Sequence, residues 1–334
     1  HPDRRKIMKK IGLIIVLIAV ILLFIPYVTF IQKDLGVSLF RVLVWPYPVK
    51  KIDTQVNIAL LGIPGGLHDG PNLSDSITVF NYDLKENRAV SMGIPRDIWS
   101  TSLRDRINSA YAYGEAKTPG GGLKLAKAEI GSIIGIPIQY AVVIDFAKFE
   151  QLIDDFGGVD IVVEKSFVDN KYPIEGKEAD ECGGDTEFKC RYETLRFEKG
   201  EQHMDGKTAL KFVRSRNAEG SEGSDFARNL RQQKVMDSVK DAILSEFKSF
   251  NIVRIRKAYR MLDELIIRDI TNKEASTIAK KIVFGKRFSQ ASATLSRELF
   301  EVPDAWNYDG KYVLVPISEE KVRDFVLCTF NNKS

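Results

Sequence analysis

An α/β/α sandwich with a central mixed sheet, preceded by one transmembrane helix, is the fold class this chain predicts. Three observations lead there. Short β-branched runs alternate with helix-period segments between Val56 and Val163, the order that lays helices over the faces of a sheet. Ile11 to Ile31 form an almost uncharged apolar run of 21 residues, long enough at helical rise to cross a hydrocarbon layer of about 30 Å. The net charge of +4 is carried entirely by residues 1–10, where Arg4, Arg5, Lys6, Lys9 and Lys10 oppose Asp3.

Taken in order, the basic flank 1–10 predicts a cytoplasmic N-terminus, residues 11–31 a single anchor in the cytoplasmic membrane, and everything beyond an extracytoplasmic location. A cleaved signal peptide is the competing reading, but the run gives way to Gln32-Lys33-Asp34 with no small-x-small site. Residues 32–55, with Pro46, Pro48 and Lys50-Lys51, read as an extended tether near the membrane. Because residues 11–334 sum to zero charge, the folded part lacks the basic excess that nucleic acid requires.

Val56 to Gly62, Ile77 to Tyr82 and Ala89 to Ile94 are β-branched-rich runs bounded by turn residues and read as strands. Leu123 to Ile134 has helix-period apolar positions, Gln139 to Asp145 reads as a strand, Phe146 to Phe156 as a helix closed by Gly157-Gly158, and Val159 to Val163 as a further strand. The polar stretch Asp169 to Arg191 reads as a surface loop; its Cys182 and Cys190 are either bridged or two free thiols, and Cys328 reads as a buried thiol. Asp225 to about Phe250 reads as a long helix. Thr271-x-x-Glu274 is a capping box opening another. Trp306 to Val315 and Lys321 to Phe330 read as a strand and a helix.

The chemistry concentrates in Arg214-Ser215-Arg216 and Asp225 to Gln233. If the first segment is extended, Arg214 and Arg216 project from one face. On a helix, Arg228, Arg231 and Gln232 share one side, and Asp225 falls in the first turn. Guanidinium forks match phosphate oxygens two at a time, so the arrangement fits a pyrophosphate; a solvated charged helix face is the plainer alternative. Neither a Ser-His-Asp set nor a P-loop is present, since Gly65-Gly66 lacks a following Gly-Lys-Ser/Thr.

Leu73-Ser74-Asp75-Ser76, Ser91 to Asp97, Arg106 to Tyr111, Val159 to Val163 after a Gly-Gly pair, and Gly200 to Leu210, together with the arginine segments, resemble the LytR-CpsA-Psr family in number, order and spacing. The resemblance covers about residues 56–250 and implies a phosphotransferase domain there; 251–334, by its helical spacing, reads as a helical extension packing on that domain. It implies transfer of a glycopolymer from a polyprenyl-pyrophosphate carrier to a peptidoglycan acceptor, assisted by Mg²⁺. On the family pattern Asp75 matches a metal-binding aspartate and Arg96 a pyrophosphate contact. Arg106 stands where lysine is usual, while Arg214, Arg216, Arg228 and Gln232 match the phosphate-gripping set. Asp75 and Asp225 compete for the role of base. The family's Gly-x-Asp after the first strand is Gly62-Ile63-Pro64 here, and Leu73 replaces an arginine. Asp69, in the loop that follows, is the acid available to replace the missing metal ligand. Two alternatives stay open: a polyprenyl pyrophosphate hydrolase with water as acceptor, and a noncatalytic protein binding lipid-linked precursors.

Overall fold

The structure, a computed structural model, describes residues 24–66, 70–174, 176–177, 179–285 and 288–331, without the side chains of Asp225, Phe226, Asn229, Gln232, Gln233, Met236, Lys240 and Phe247. The basic flank, the anchor as far as residue 23, and Asp69 therefore lie outside the described residues. Residues 24–29 are helical. Among the described residues no helix is long and apolar enough to cross a membrane.

In chain order the strands are β1 (Gln55–Ile63), β2 (Ser76–Asp83), β3 (Arg88–Ile94), β4 (Trp99–Ser100), β5 (Asp105–Arg106), β6 (Tyr140–Asp145), β7 (Val159–Val163), β8 (Phe167–Pro173), β9 (Tyr192–Phe197), β10 (Gly200–Met204), β11 (Ile266–Arg268) and β12 (Ser289–Thr294). The helices used below are α1 (Leu39–Leu43), α2 (Ala110–Lys117), α3 (Gly122–Ile134), α4 (Phe146–Asp155), α5 (Gly206–Arg214), α6 (Asp225–Lys248), α7 (Ile252–Leu265), α8 (Asn272–Phe284) and α9 (Glu319–Asn331). The chain divides into two compact units, one of His1–Leu61, Leu73–Val143 and Arg268–Ser334, the other of Gly62–Asn72 and Ile144–Ile267.

The first unit is organised by a mixed sheet in which β6, β1, β2, β3 and β12 lie side by side in that order. Ile77, Val79 and Asn81 alternate into the interior along β2, and Val90, Met92 and Ile94 do so along β3, the period-two pattern of strands packed on a core. Burying Asn81 beside Asn57 is tolerated because both are satisfied: Asn81 Nδ2 donates to Asn57 Oδ1 at 2.8 Å, and Asn57 Nδ2 to the Pro137 carbonyl at 2.9 Å. β2 and β3 are antiparallel, whereas β12 joins β3 in parallel. The sequence reading missed β12. Its residues, Ser289-Gln-Ala-Ser-Ala-Thr294, are small and polar with weak strand propensity, and they hold as an exposed-to-half-buried edge. The strand expected over 306–315 is instead a 3-10 turn, Ala305–Tyr308, because Asp304 caps it at Trp306 N and Asp309 and Gly310 take positive φ. Val315–Pro316 pairs with Phe300–Glu301, and Leu314 makes a single parallel bridge to Ile98. Cys328 is exposed and outside any disulfide, which corrects its reading as a buried thiol. α9 buries Val322, Val326 and Phe330 at four-residue spacing, leaving position 328 on the other side.

Nor is the tether extended. Phe30–Asp34 form a π-helical turn and 39–43 the short α1, with Phe30 and Val37 buried. The Lys50 amide donates to Tyr140 Oη at 2.7 Å, Tyr140 donates to Glu274 Oε1 at 2.8 Å, and Glu274 closes the expected capping box with Thr271. Burial pushes the Tyr140 hydroxyl well above its ordinary pKa, so it stays a donor.

The second unit holds the antiparallel pairs β7–β10 and β8–β9 and helices α4 to α7. Its core gathers Ile153, Ile161, Met204 and Val235 around the rings of Phe167, Phe197 and Phe212, whose centroids lie 5.0 to 5.9 Å apart. Cys182 and Cys190 form a disulfide. The stretch 169–191 is not wholly a surface loop: Asp169 lies in β8 and is fully buried.

His203 bridges Asp160 Oδ1 through Nδ1 at 2.7 Å and the Gly157 carbonyl through Nε2 at 2.9 Å. The hydrogen bond to Asp160, then that to Gly157, raises its pKa above the ordinary histidine value. A group raised on folding stabilises fully below its unfolded value, near 6.5, and loses that contribution as pH rises through the folded value. Unfolding titrations of the parent and of Asp160→Asn should therefore differ most below about pH 6 and converge in the alkaline range. A difference that grows with pH rejects the assignment.

Candidate functional site

In the first unit the chain folds four charged residues into one ladder. Asp75 immediately precedes β2, and Arg96 and Asp97 follow β3, so the antiparallel pairing of Ile77 with Ile94 brings these ends together. The buried turn Ile107–Ser109 then fastens them, because the Asn108 carbonyl accepts from Ser74 N at 2.9 Å and Asn108 N donates to the Arg96 carbonyl at 3.3 Å. Asn108 thus serves through its backbone. Tyr111 is core, packed so closely on Gly122 that a Cβ there would lie 2.6 Å from the ring.

Arg96 Nη1 donates to Asp75 Oδ1 at 2.5 Å, Arg96 Nε stands 4.0 Å from Asp97 Oδ2, and Arg106 Nη1 donates to Asp97 Oδ1 at 3.1 Å. The ladder continues through the neighbouring Asp105, which accepts from Lys311 Nζ at 2.7 Å and from Tyr113 Oη at 2.5 Å. Burial pushes the Asp105 carboxyl up, but the hydrogen bonds from Lys311, Tyr113 and the Arg106 amide outweigh it and hold it below the usual carboxylate range. Lys311, Tyr113 and Asp105 were not foreseen as neighbours of the site; the 206-residue separation of Lys311 from Asp105 carries no local signal.

Two features stand out. Asp75 and Arg96 keep 44% and 39% of their side-chain surface exposed, so an anion has access to both. Arg106 Nε is buried and, among the described residues, has no hydrogen-bond partner, which leaves one donor of the ladder unsatisfied. For Mg²⁺ the fit is a single carboxylate. The ion binds through one or two carboxylates plus phosphate oxygens, and Asp75 offers one. The one described group of three potential ligands, Asp180 with Cys182 and Cys190, has its sulfurs in a disulfide.

In the second unit Arg214 is the last residue of α5, not part of an extended strand, and Arg216 follows the fully buried Ser215. Two buried groups shape this turn. Asp169 Oδ2 accepts from Ser215 Oγ at 2.7 Å and from Asn217 N at 3.1 Å. From α6, Arg231 Nη2 donates to the Ser215 carbonyl at 2.8 Å, Nε to the Phe212 carbonyl at 3.0 Å, and Nη1 to the Glu222 carbonyl at 2.9 Å. The guanidinium also lies 4.8 Å from the Phe167 ring centroid and pairs with Glu222 Oε2 at 3.2 Å. Burial pushes the Arg231 pKa down and Glu222 opposes it, but arginine remains charged.

Arg231 thus departs from the exposed cationic face expected of it. It is 3% exposed and spends its donors on the protein's own carbonyls. Arg216 is exposed, and Arg214 and Arg228 are half-buried. Asp225 is the first residue of α6, after the Ser224 cap that accepts from Ala227 N. The sequence reading missed Asp169; the signal that could have placed it is the period-two face it shares with Phe167 in β8.

A pocket of about 310 Å³ opens in the same unit, with Val163, Phe167, Phe212 and Leu230 as apolar wall and Arg231 and Lys234 among its polar lining. Where the chain carries Pro64, the geometry brings a different acid close: a Cβ on Gly65 would lie 1.8 Å from Asp145 Oδ1. Asp145 is the N-cap of α4, bonding Ala147 N at 2.9 Å.

The LytR_cpsA_psr family model matches residues 44–323. The polyisoprenyl-teichoic acid–peptidoglycan teichoic acid transferase TagU of Bacillus cereus is 30% identical over 204 residues, 59% of this chain and 56% of the relative. TagV of Bacillus subtilis, a transferase of the same description, is 28% identical over 229 residues, 67% of this chain and 51% of the relative. The chain spans about half the length of these curated relatives. Among solved structures, Bacillus subtilis TagV has a TM-score of 0.50 at 24% identity, covering 85% of this chain and 100% of that one. Protein gbs0355 of Streptococcus agalactiae has a TM-score of 0.53 at 19% identity, covering 84% and 89%. Both share the fold.

Proposed function

Because this chain belongs to the LytR-CpsA-Psr family, we propose that it transfers a glycopolymer, as its phosphate ester, from a polyprenyl-pyrophosphate carrier to peptidoglycan. The observation that carries the reading is the Asp75–Arg96–Asp97–Arg106 ladder, with its accessible first pair and an Arg106 Nε unpartnered among the described residues. In the transfer, an acceptor hydroxyl oxygen bonds the polymer's phosphorus, the bond to the bridging pyrophosphate oxygen breaks, and polyprenyl phosphate leaves. The hydroxyl proton passes to a carboxylate, Asp75 or Asp225. Arg96 and Arg106 take phosphate oxygens through charge-assisted hydrogen bonds. Asp75 would hold Mg²⁺, which would supply charge neutralisation. Arg214, Arg216 and Arg228 keep the phosphate-contact roles that the family pattern gives them.

The test is transfer itself: purified chain, a lipid-linked teichoic acid and peptidoglycan acceptor, with attached polymer and released polyprenyl phosphate both measured. Release without attachment supports hydrolysis instead, and binding without either product supports a noncatalytic role. Arg216→Ala should weaken polyprenyl-pyrophosphate binding by about 1.5–3 kcal/mol, the worth of a charge-assisted contact, and leave the thermal midpoint nearly unchanged. Equal affinity in parent and variant removes Arg216 from the grip.

The location that goes with this function is extracytoplasmic: an α/β/α domain behind one uncleaved transmembrane helix at 11–31, with residues 1–10 cytoplasmic. Protease added to intact, wall-stripped cells should digest the domain. Full protection overturns the topology.

A further inference from the structure

The first unit leaves six large apolar side chains in water at one place. Phe40, Leu43, Val44 and Trp45 are 62% to 69% exposed, and Val283 and Phe284 are 69% and 74% exposed. These residues are 240 positions apart in sequence, yet the fold binds their backbones side by side. α8 holds the 35–47 segment at three points: Asn272 Nδ2 donates to the Leu35 carbonyl at 3.2 Å, Thr277 Oγ1 to the Tyr47 carbonyl at 3.0 Å and Lys280 Nζ to the Leu43 carbonyl at 2.6 Å. Thr277, Lys280 and Phe284 follow at three- and four-residue spacing, so they line one side of α8. Val283 and Phe284 therefore prolong the side that grips Leu43.

Exposing such side chains forgoes the gain of burying them, so a surface of this kind marks a contact made elsewhere. Its chemistry identifies the contact. Trp45 and Tyr47 belong to the types that settle at a membrane–water interface. Residues 35–51 contain Arg41, Lys50 and Lys51 and no acid, and α8 adds Lys273, Lys280 and Lys281, the basic rim that draws an amphipathic surface to anionic lipid. Two copies of so basic a patch would repel, which argues against self-association.

The chain's path points the same way. The apolar run ends at Ile31, nine residues before Phe40, a reach of at most about 30 Å. Phe30 and Val37 are buried and Leu35 is bonded to Asn272, so the end of that run is fastened to this unit.

We infer that Phe40, Leu43, Val44 and Trp45, with Val283 and Phe284, form a second membrane contact that seats the first unit in the headgroup region of an anionic bilayer. This goes beyond the proposed transfer and the proposed anchor, because it holds the unit at one attitude to the lipid surface.

The full chain reconstituted into phosphatidylglycerol–phosphatidylcholine vesicles, with acyl chains brominated close to the headgroup, tests it through tryptophan quenching. Trp45, Trp99 and Trp306 are the three tryptophans, so Trp45→Phe identifies the Trp45 component. Quenching of the parent should disappear in Trp45→Phe, and Val283→Glu with Phe284→Glu should reduce it at least twofold while the circular dichroism spectrum is retained. Pure phosphatidylcholine should quench less. Equal quenching of parent and Trp45→Phe overturns the inference, as does quenching indifferent to the two glutamates or to anionic lipid, or Trp45 shielding that depends on protein concentration instead of brominated lipid. Carbonate extraction reads the anchor separately. Chain retained in the bilayer without Trp45 quenching leaves the anchor and removes the second contact, and quenching in extractable chain does the reverse.

Discussion

Arg231→Ala should destabilise the fold by about 3–5 kcal/mol, the range for breaking a buried, hydrogen-bonded charge pair, and lower the thermal midpoint by roughly 10 °C. Three consequences of losing the guanidinium add up. The Phe212 and Ser215 carbonyls lose their Arg231 donors, each unsatisfied group costing about 1–3 kcal/mol. Glu222 is left without its cation at 3.2 Å. The space against Phe167 and Phe212 empties. Arg231→Lys should recover only part, because one ammonium cannot reach three acceptors lying in the directions of a planar fork. Arg216→Ala, at an exposed position, should stay within about 0.5 kcal/mol of the parent. Chemical and thermal unfolding followed by circular dichroism compare the three. If Arg231→Ala melts with the parent and loses ligand affinity instead, Arg231 is a ligand contact and its carbonyl bonds are incidental.

The contrast between Arg231 and Arg216 marks what the sequence makes legible. Spacing placed Arg228 and Arg231 on a helix, and α6 is there, but spacing does not say which way that side points. Amphipathic reading ranks arginine as solvent-facing, whereas Phe167, Phe212 and two open carbonyls make this position an interior one. Strands rich in β-branched residues, β1, β2, β3, β6 and β7, stood where those runs between turn residues set them, because such side chains fit a pleated, packed surface. β12 was not legible, since its small polar residues owe their strand to the neighbouring β3. The tether failed for a similar reason: its prolines favour extension locally, but Asn272, Thr277 and Lys280 capture it from α8. In the candidate site the motif residues Asp75, Arg96, Asp97 and Arg106 came together as one ladder. Its supports, Lys311 and Tyr113, act across the fold or through a hydroxyl and leave no motif.

Asp75→Asn should lower the transfer rate by on the order of 100-fold or more, about 2.7 kcal/mol of transition-state stabilisation, while barely moving the melting midpoint. The asparagine oxygen still accepts from Arg96, so the ladder stays in place, and an ion pair with both partners more than a third exposed is worth only about 0–1 kcal/mol. What disappears is negative charge, which a metal ligand and a general base both need but in distinguishable ways. If Asp75 holds Mg²⁺, isothermal titration shows weakened binding, and excess Mg²⁺ restores part of the rate. If it acts as the base, Mg²⁺ affinity is kept and the acid limb of the pH–rate profile changes instead. A further variant asks what stands in for the acid missing at Pro64. Asp69→Asn removes the charge that the sequence offers, and weakening Mg²⁺ as much as Asp75→Asn identifies it as the second ligand. Should it not do so while Asp75→Asn does, the ion is held by one carboxylate and the substrate's own phosphate oxygens, and its affinity should then rise sharply when a pyrophosphate is added. Parent-like transfer by Asp75→Asn at every Mg²⁺ concentration sinks the assignment of Asp75 to the chemistry.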